Sequence, residues 1–318
     1  MQQNKKHLLE VRNLKKYFNT PKGELHAVDD VSFVLDAGKT LGVVGESGCG
    51  KSTMGRTVLR LLEATDGDII FDGVDIRKLK QSEMRKIRQD MQMIFQDPYA
   101  SLDPRKTVSE IIAEPLRLHK LITNKSEMQD RVLELMETVG LAERLYNAYP
   151  HELDGGRRQR IGIARALSVR PKFVVCDEPV SALDVSIQAQ ILNLMDELQE
   201  KLGLTYIFIT HDLSVVRYFS DDIAVMYLGK LVEKAPAAEL FAHPTHPYTQ
   251  ALLSAIPVPR IHNRPERIII QGELSSPINP KPGCRFANRC PYATEQCMKE
   301  QPELRETTPD HFVACYLT

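Results

Sequence analysis

Gly45-Glu46-Ser47-Gly48-Cys49-Gly50-Lys51-Ser52 spells G-x-x-x-x-G-K-S, between an apolar run, Thr40-Leu41-Gly42-Val43-Val44, and a helix expected from Thr53 to about Leu62. That setting gives the motif its meaning. A buried strand delivers the chain to a turn whose glycines let successive backbone N–H groups face inward on a phosphate. The helix that follows adds the favourable end of its dipole. Lys51 supplies a mobile cation for the outer phosphates, and Ser52 a hydroxyl for Mg²⁺. Gly45 through Thr53 are therefore the expected nucleotide-binding residues. A phosphate loop of this kind belongs in a mostly parallel sheet flanked by helices, so the fold class predicted is α/β.

Cleavage of a bound triphosphate needs a second half to the site, an apolar strand that ends in a carboxylate. Phe173-Val174-Val175-Cys176 leads directly into Asp177 and Glu178. Asp177 is expected to bind Mg²⁺ through water, and Glu178 to orient or deprotonate the attacking water. A third apolar strand, Tyr206-Ile207-Phe208-Ile209-Thr210, ends at His211, which is placed to hydrogen-bond a γ-phosphate.

Composition narrows the classes further. Apolar residues make up 42% and charged residues 26% of the 318, ordinary for about two globular domains. Lys plus Arg (41) nearly cancel Asp plus Glu (42), so the sequence-independent attraction that nucleic-acid binding uses is missing and no nucleic-acid partner is expected. No window approaches the ~18 apolar residues of a membrane helix. Near the start, Leu8 and Leu9 run straight into Glu10 and Arg12, which is no secretory core. The chain is expected in the cytoplasm, with any membrane role exerted through partners.

Proline and cysteine are skewed to one end. Twelve of 19 prolines lie from Pro236 to Pro309, marking a boundary near 236–245 and a loop-rich module beyond it. Cys284, Cys290, Cys297 and Cys315 follow at spacings of x5, x6 and x17. In a reducing compartment four clustered thiols read as metal ligands rather than disulfides. Such a set holds either tetrahedral zinc or a [4Fe–4S] cluster.

Elsewhere the pattern is coarser. Leu8 to Val11, His26 to Val28 and Val31 to Leu35 read as short strands of an antiparallel patch. Residues 107–150 are strand-poor, and Val132, Leu135, Met136 and Val139 follow helical spacing. Ile187, Ile191, Leu194, Met195, Leu198 and Leu202 do the same after Asp184. Ile223 to Leu228 and Lys230 to Lys234 flank Gly229 as a hairpin.

Leu153-Asp154-Gly155-Gly156-Arg157-Arg158-Gln159-Arg160 opens a helix expected to run to about Ser168. Taken with the phosphate loop, Asp177-Glu178, Ser181-Ala182-Leu183-Asp184 and His211, this order resembles the ATP-binding subunits of ABC transporters along the whole chain. Gln96-Asp97-Pro98-Tyr99-Ala100-Ser101-Leu102-Asp103-Pro104-Arg105 and His243-Pro244-Thr245-His246-Pro247-Tyr248-Thr249 resemble the members that energise uptake of di- and oligopeptides, or of nickel.

The resemblance implies a P-loop NTPase (RecA-like) core from residues 1–96 and 165–238, carrying the antiparallel β patch. It implies a helical signature subdomain at 97–164 and a small Cys-rich module at 239–318. ATP and Mg²⁺ are implied cofactors. Gln96 is implied to touch the Mg²⁺ and to act with Glu178 and His211, and Phe18, or its neighbour Tyr17, to stack on adenine. Asp154 to Arg157 are implied to be offered in trans to a nucleotide held by a second ATPase subunit, with Ser181 to Asp184 communicating across that pair. The four cysteines are implied to carry [4Fe–4S], with zinc as the alternative. Implied partners are a second, different ATPase subunit, two membrane permease subunits and an extracytoplasmic peptide-binding protein, placing the chain peripherally on the cytoplasmic face of the membrane. A soluble ABC mechanoenzyme acting on nucleic acid is the rival reading; its usual paired cassettes or long coiled-coil insertion are not seen in this sequence.

The chain departs from the family at one motif. The usual Leu-Ser-Gly-Gly-Gln is here Leu153-Asp154-Gly155-Gly156-Arg157. Aspartate caps a helix about as well as serine, yet it places an acceptor-only carboxylate where a polyanion docks. Arg157, one helical turn on, is positioned to compensate. The composite site built from this signature is expected to hydrolyse slowly, leaving most turnover to the site that uses Lys51 and Glu178.

Overall fold

Two long strands open the described chain. β1 (Leu9–Thr20) and β2 (Gly23–Leu35) run antiparallel, with Leu9 opposite Leu35 and Thr20 opposite Gly23. The short strands read from the sequence are pieces of this hairpin: residues 8–11 and 31–35 lie at its open end and 26–28 in the middle of β2. The later part of β1 was hidden because bulges between Val11 and Tyr17 shift the register and interrupt the period of two there. β3 (Thr40–Val44) is buried along its whole length. α1 (Lys51–Val58) begins and stops earlier than expected: Arg60 turns left-handed at φ 51° and Leu61 N donates back to Arg56 O at 2.8 Å, closing the helix. β4 (Asp66–Phe71) pairs with β1 and β5 (Val74–Asp75) with β4, completing a sheet in the order β2-β1-β4-β5.

In this computed structural model, which describes residues 7–256, 267–272 and 275–318, the chain then enters a second compact unit, Leu79–Ile207. It holds α2 (Gln81–Asp90), β6 (Met91–Ile94), α3 (Val108–Leu118), α4 (Lys125–Thr138), α5 (Gly155–Leu167), β7 (Phe173–Asp177) and α6 (Val185–Leu202). β6 and β7 are parallel, Met91 opposite Phe173 and Ile94 opposite Cys176. Helix starts are set by side chains: Thr107 Oγ1 accepts from Glu110 N while Glu110 reaches back to Thr107 N at 2.9 Å, and Asn124 accepts from Ser126 N at 2.8 Å. The stripes expected from spacing are buried on α4 (Val132, Leu135, Met136) and α6 (Ile191, Met195, Leu198).

β8 (Thr205–Ile209) carries the chain back to the first unit, which comprises the described residues up to Lys78 and those from Phe208 onward. There follow α7 (Leu213–Phe219), β9 (Asp222–Tyr227), β10 (Lys230–Pro236), α8 (Ala237–Ala242), α9 (Pro247–Ser254), α10 (Glu295–Lys299), β11 (Arg305–Thr308) and β12 (His311–Val313). The predicted hairpin is present, its turn built on Leu228 (φ 43°) and Gly229 (φ 83°), the two left-handed residues a tight connection needs. β3 lies parallel to β9, and within this unit the strands run β11-β12-β10-β9-β3. Sequence pattern did not reveal β11 or β12, whose outer strand is exposed throughout. Tyr248 and Phe286 pack with Val44, Val225, Tyr227, Val232 and Leu240, so the proline-rich region shares one core with β9 and β10. Among the described residues no helix is long and apolar enough to cross a membrane.

Candidate active site

In the first unit the loop Gly45–Ser52 leaves β3 and enters α1 with Gly45 (φ 151°), Gly48 (φ 77°) and Gly50 (φ 103°) all in backbone geometry that favours glycine. Two of these are also fixed by close approach. A Cβ on Gly45 would strike Met226 O, and one on Gly50 would strike Ala27 O. Lys51, 5% exposed, lies back across the loop with its Nζ donating to Gly45 O (2.8 Å) and Glu46 O (3.0 Å). A buried ammonium needs such acceptors, and phosphate oxygens would serve it in their place. Ser47 and Gly48 form the exposed lip, Cys49 is buried with its thiol pKa raised by that burial, and Ser52 and Thr53 lie half-buried in the first turn of α1.

Tyr17 and Phe18 sit together on β1 but face different surroundings. The Tyr17 ring stacks on His26 at 3.9 Å and its hydroxyl donates to Asp29 Oδ1 at 2.5 Å, whereas the half-buried Phe18 ring meets Lys16 Nζ at 4.7 Å. His211 is exposed in the bend before α7, whose cap Asp212 accepts from Ser214 N at 2.8 Å.

Residues that sequence reasoning missed brace the loop from behind. The Tyr248 hydroxyl accepts from Glu46 N at 2.8 Å, and Arg289 Nη1 donates to Glu46 Oε2 at 2.8 Å. Tyr248 belongs to the His243–Thr249 stretch already singled out, but separations of 202 and 243 positions left no local signal of contact.

The second unit carries the acids. Asp177 ends β7 fully buried, and Glu178 takes φ 47°, a left-handed conformation uncommon for glutamate and typical of strained functional positions. Because β6 and β7 are parallel neighbours, Gln96 just beyond β6 reaches it: Gln96 Nε2 donates to Glu178 Oε2 at 2.9 Å. The turn that follows is closed by Ser181 Oγ, which donates to Glu178 O at 3.1 Å. Ala182 is exposed, and Asp184 caps α6 by accepting from Ile187 N at 3.0 Å.

The signature residues lie against that same turn. Asp154 caps α5 by accepting from Arg157 N at 2.8 Å, and Arg157 Nη1 stands 3.3 Å from Asp154 Oδ2. A Cβ on Gly155 would come 3.0 Å from Leu183, and one on Gly156 2.7 Å from Ile187, so the two glycines admit close packing of α5 on that turn and on α6.

Cys284, Cys290, Cys297 and Cys315 line one small pocket with Phe286 and Tyr292. Burial, reinforced by the neighbouring thiols, pushes Cys284 up to about 11. The expected metal centre is not formed as such: among the described residues no three Cys, His, Asp or Glu side chains are arranged to hold a metal ion. The sulfurs keep local partners instead, Cys297 with Thr294 Oγ1 (3.3 Å) and Cys315 with Leu317 N (3.5 Å).

Residues 28–181 match the family model described as ABC transporter, and 232–297 the one described as oligopeptide/dipeptide transporter, C-terminal region. The oligopeptide transport ATP-binding proteins AppF and OppF of Bacillus subtilis are each 54% identical. AppF aligns over 99% of this chain and 98% of its own, and OppF over 97% and 96%. A putative peptide import ATP-binding protein of Brucella ovis is 53% identical over 97% of both chains. Among solved structures, a dimeric ATP-binding cassette in a post-hydrolysis state with ADP and phosphate aligns at TM-score 0.67 and 30% identity, covering 72% of this chain and 98% of its own. A component of an ABC transporter complex from Clostridium perfringens aligns at TM-score 0.66 and 28% identity, covering 75% and 92%.

Proposed function

The chain belongs to the ATP-binding proteins of ABC transporters, and from that membership we propose that its ATPase activity energises import of di- and oligopeptides through a pair of membrane permease subunits. The observation that carries hydrolysis, beyond nucleotide binding, is the Gln96–Glu178 hydrogen bond at 2.9 Å at the end of β7. It holds the carboxylate that would orient the attacking water. The peptide substrate is supported by the match of residues 232–297 and by what AppF and OppF are named for; nickel is the alternative solute.

Each residue has a stated task in this reading. Gly45 to Thr53 grip the triphosphate, Lys51 neutralises its outer oxygens, Phe18 stacks on adenine with Tyr17 as the neighbouring alternative, and His211 bonds the γ-phosphate. Ser52, Gln96 and Asp177 are hard oxygen donors suited to Mg²⁺, which would supply charge neutralisation at the β- and γ-phosphates. Asp154 to Arg157 serve the nucleotide of a second, different ATPase subunit, and Ser181 to Asp184 relay between the two. An extracytoplasmic binding protein delivers the peptide, and the chain works peripherally at the cytoplasmic face. The division assigned from sequence, with a catalytic core at 1–96 and 165–238, a helical part at 97–164 and a C-terminal module from 239, goes with this reading.

Transporter reconstituted in vesicles tests it. Glu178→Gln should cut ATP-driven peptide uptake more than about 100-fold while MgATP binding persists. Full hydrolysis by that variant, or uptake of nickel but not peptide, would reject the assignment.

The four thiols line one pocket walled by rings, and we infer that they would draw together as soft ligands for a [4Fe–4S] cluster, with zinc as the alternative. Such a group would stabilise a segment that lacks a core of its own. Protein purified without oxygen should contain iron and acid-labile sulfide in equal amounts, near four of each per chain. Stoichiometric zinc without iron would refute the cluster.

A further inference from the structure

Glu46 is an acid inside a loop that has to receive a polyanion. Its side chain is 29% exposed, so repulsion of a nearby phosphate would be only partly screened by water. The cation that meets it is Arg289, 12% exposed, whose Nη1 stands 2.8 Å from Glu46 Oε2 and 3.2 Å from the Tyr227 hydroxyl. Arg289 is carried by a hydrogen-bonded turn. It ends the single turn Ala287–Arg289, one residue before Cys290, and Cys284 N at the head of the same segment donates to Cys297 O at 2.7 Å. Phe286 in between packs edge-on against Tyr227 at 5.2 Å. The segment reaches the N-terminal strands a second time through Arg285, whose Nη2 meets Asp29 Oδ2 at 2.5 Å, while the other oxygen of Asp29 takes the Tyr17 hydroxyl.

We propose that Arg289 is a positioning residue for the phosphate loop, cancelling the charge of Glu46, so that the Cys284–Cys290 segment sets how tightly the loop holds a nucleoside triphosphate. Glu46 alone would oppose the triphosphate; paired, it anchors the loop through Arg289 while Tyr248 holds its backbone N–H. This inference rests on the reading that residues 45–52 grip the triphosphate.

The test uses the full chain, with MgATP displacing a fluorescent ATP analogue. Arg289→Gln should weaken MgATP about ten-fold, as loss of a charged hydrogen bond predicts, and the defect should shrink at high salt. Turnover at saturating MgATP should change less than about two-fold, placing the effect in KM. Arg289→Lys should stay within about three-fold of the parent, and in a Glu46→Gln background Arg289→Gln should have little further effect. Unchanged affinity in Arg289→Gln, or the same ten-fold loss in the Glu46→Gln background, overturns the proposal. Should Arg289→Gln misfold, Arg289→Met takes its place: this uncharged side chain of similar length should show the same salt-dependent loss of MgATP affinity, and unchanged affinity overturns the proposal. Lys51→Ala separates the two levels. If it too binds normally, the phosphate-loop reading fails; if it loses binding while Arg289→Gln does not, only the role of Arg289 fails.

Discussion

Asp154 caps α5 and, in the proposed pairing with a second subunit, would also face a nucleotide. Its charge is answered by Arg157 at 3.3 Å, as its spacing suggests. Both side chains are exposed, 59% and 47%, so the pair is weak by itself and does little to remove a negative charge from the signature. Asp154→Ser should therefore raise ATP turnover of the assembled transporter severalfold, while the cap, and with it stability, changes by less than about 0.5 kcal/mol. Steady-state ATPase rates and urea midpoints of the two proteins check this, and an unchanged rate removes the inequality between composite sites. The glycine-built turn at residues 45–52 and the strand ending at Asp177 were readable because their shape depends on neighbours a few residues away in sequence. The Arg289–Glu46 pair was not, and Gln96 was joined to Glu178 only by the family resemblance, since no local pattern reports which distant side chain will arrive.

At the scale of elements, legibility followed periodicity. α4 and α6 carry one apolar face and were placed by spacing, and the β9–β10 turn announced itself through Gly229. The later part of β1 did not, because bulges interrupt its alternation, and neither did β11, which is exposed throughout. α9 begins with an unusual cap: His246 Nδ1 accepts from Tyr248 N at 3.1 Å, in a site so enclosed that burial pushes the imidazole pKa down to about 4. An unfolded chain protonates that ring near pH 6.5. Folded protein therefore keeps its full stability from this group above about 6.5 and loses it as pH falls toward 4, by roughly 2 kcal/mol between pH 7 and 5. His246→Asn, which retains a capping oxygen, should flatten that part of the profile. Chemical denaturation at the two pH values measures the difference, and parallel losses in both proteins would exclude His246 as its source.

The molecule as a whole is divided in a way its composition obscures. The shift near 236–245 suggests a separate tail, yet the rings and strands beyond it complete the unit that holds the phosphate loop. Glu233, fully buried on β10, ties this together by accepting from Thr245 N (2.8 Å), His246 N (3.0 Å) and His311 (2.8 Å). β12 then covers the outer side of β10, with Val313 opposite Glu233. During synthesis this arrangement imposes a delay. Glu46 leaves the ribosome 243 residues ahead of Arg289, on the order of ten to fifty seconds at ordinary elongation rates. For that interval the newborn loop carries its acid without its counter-charge, and β10, once made, waits as an open edge until His311 and Val313 emerge.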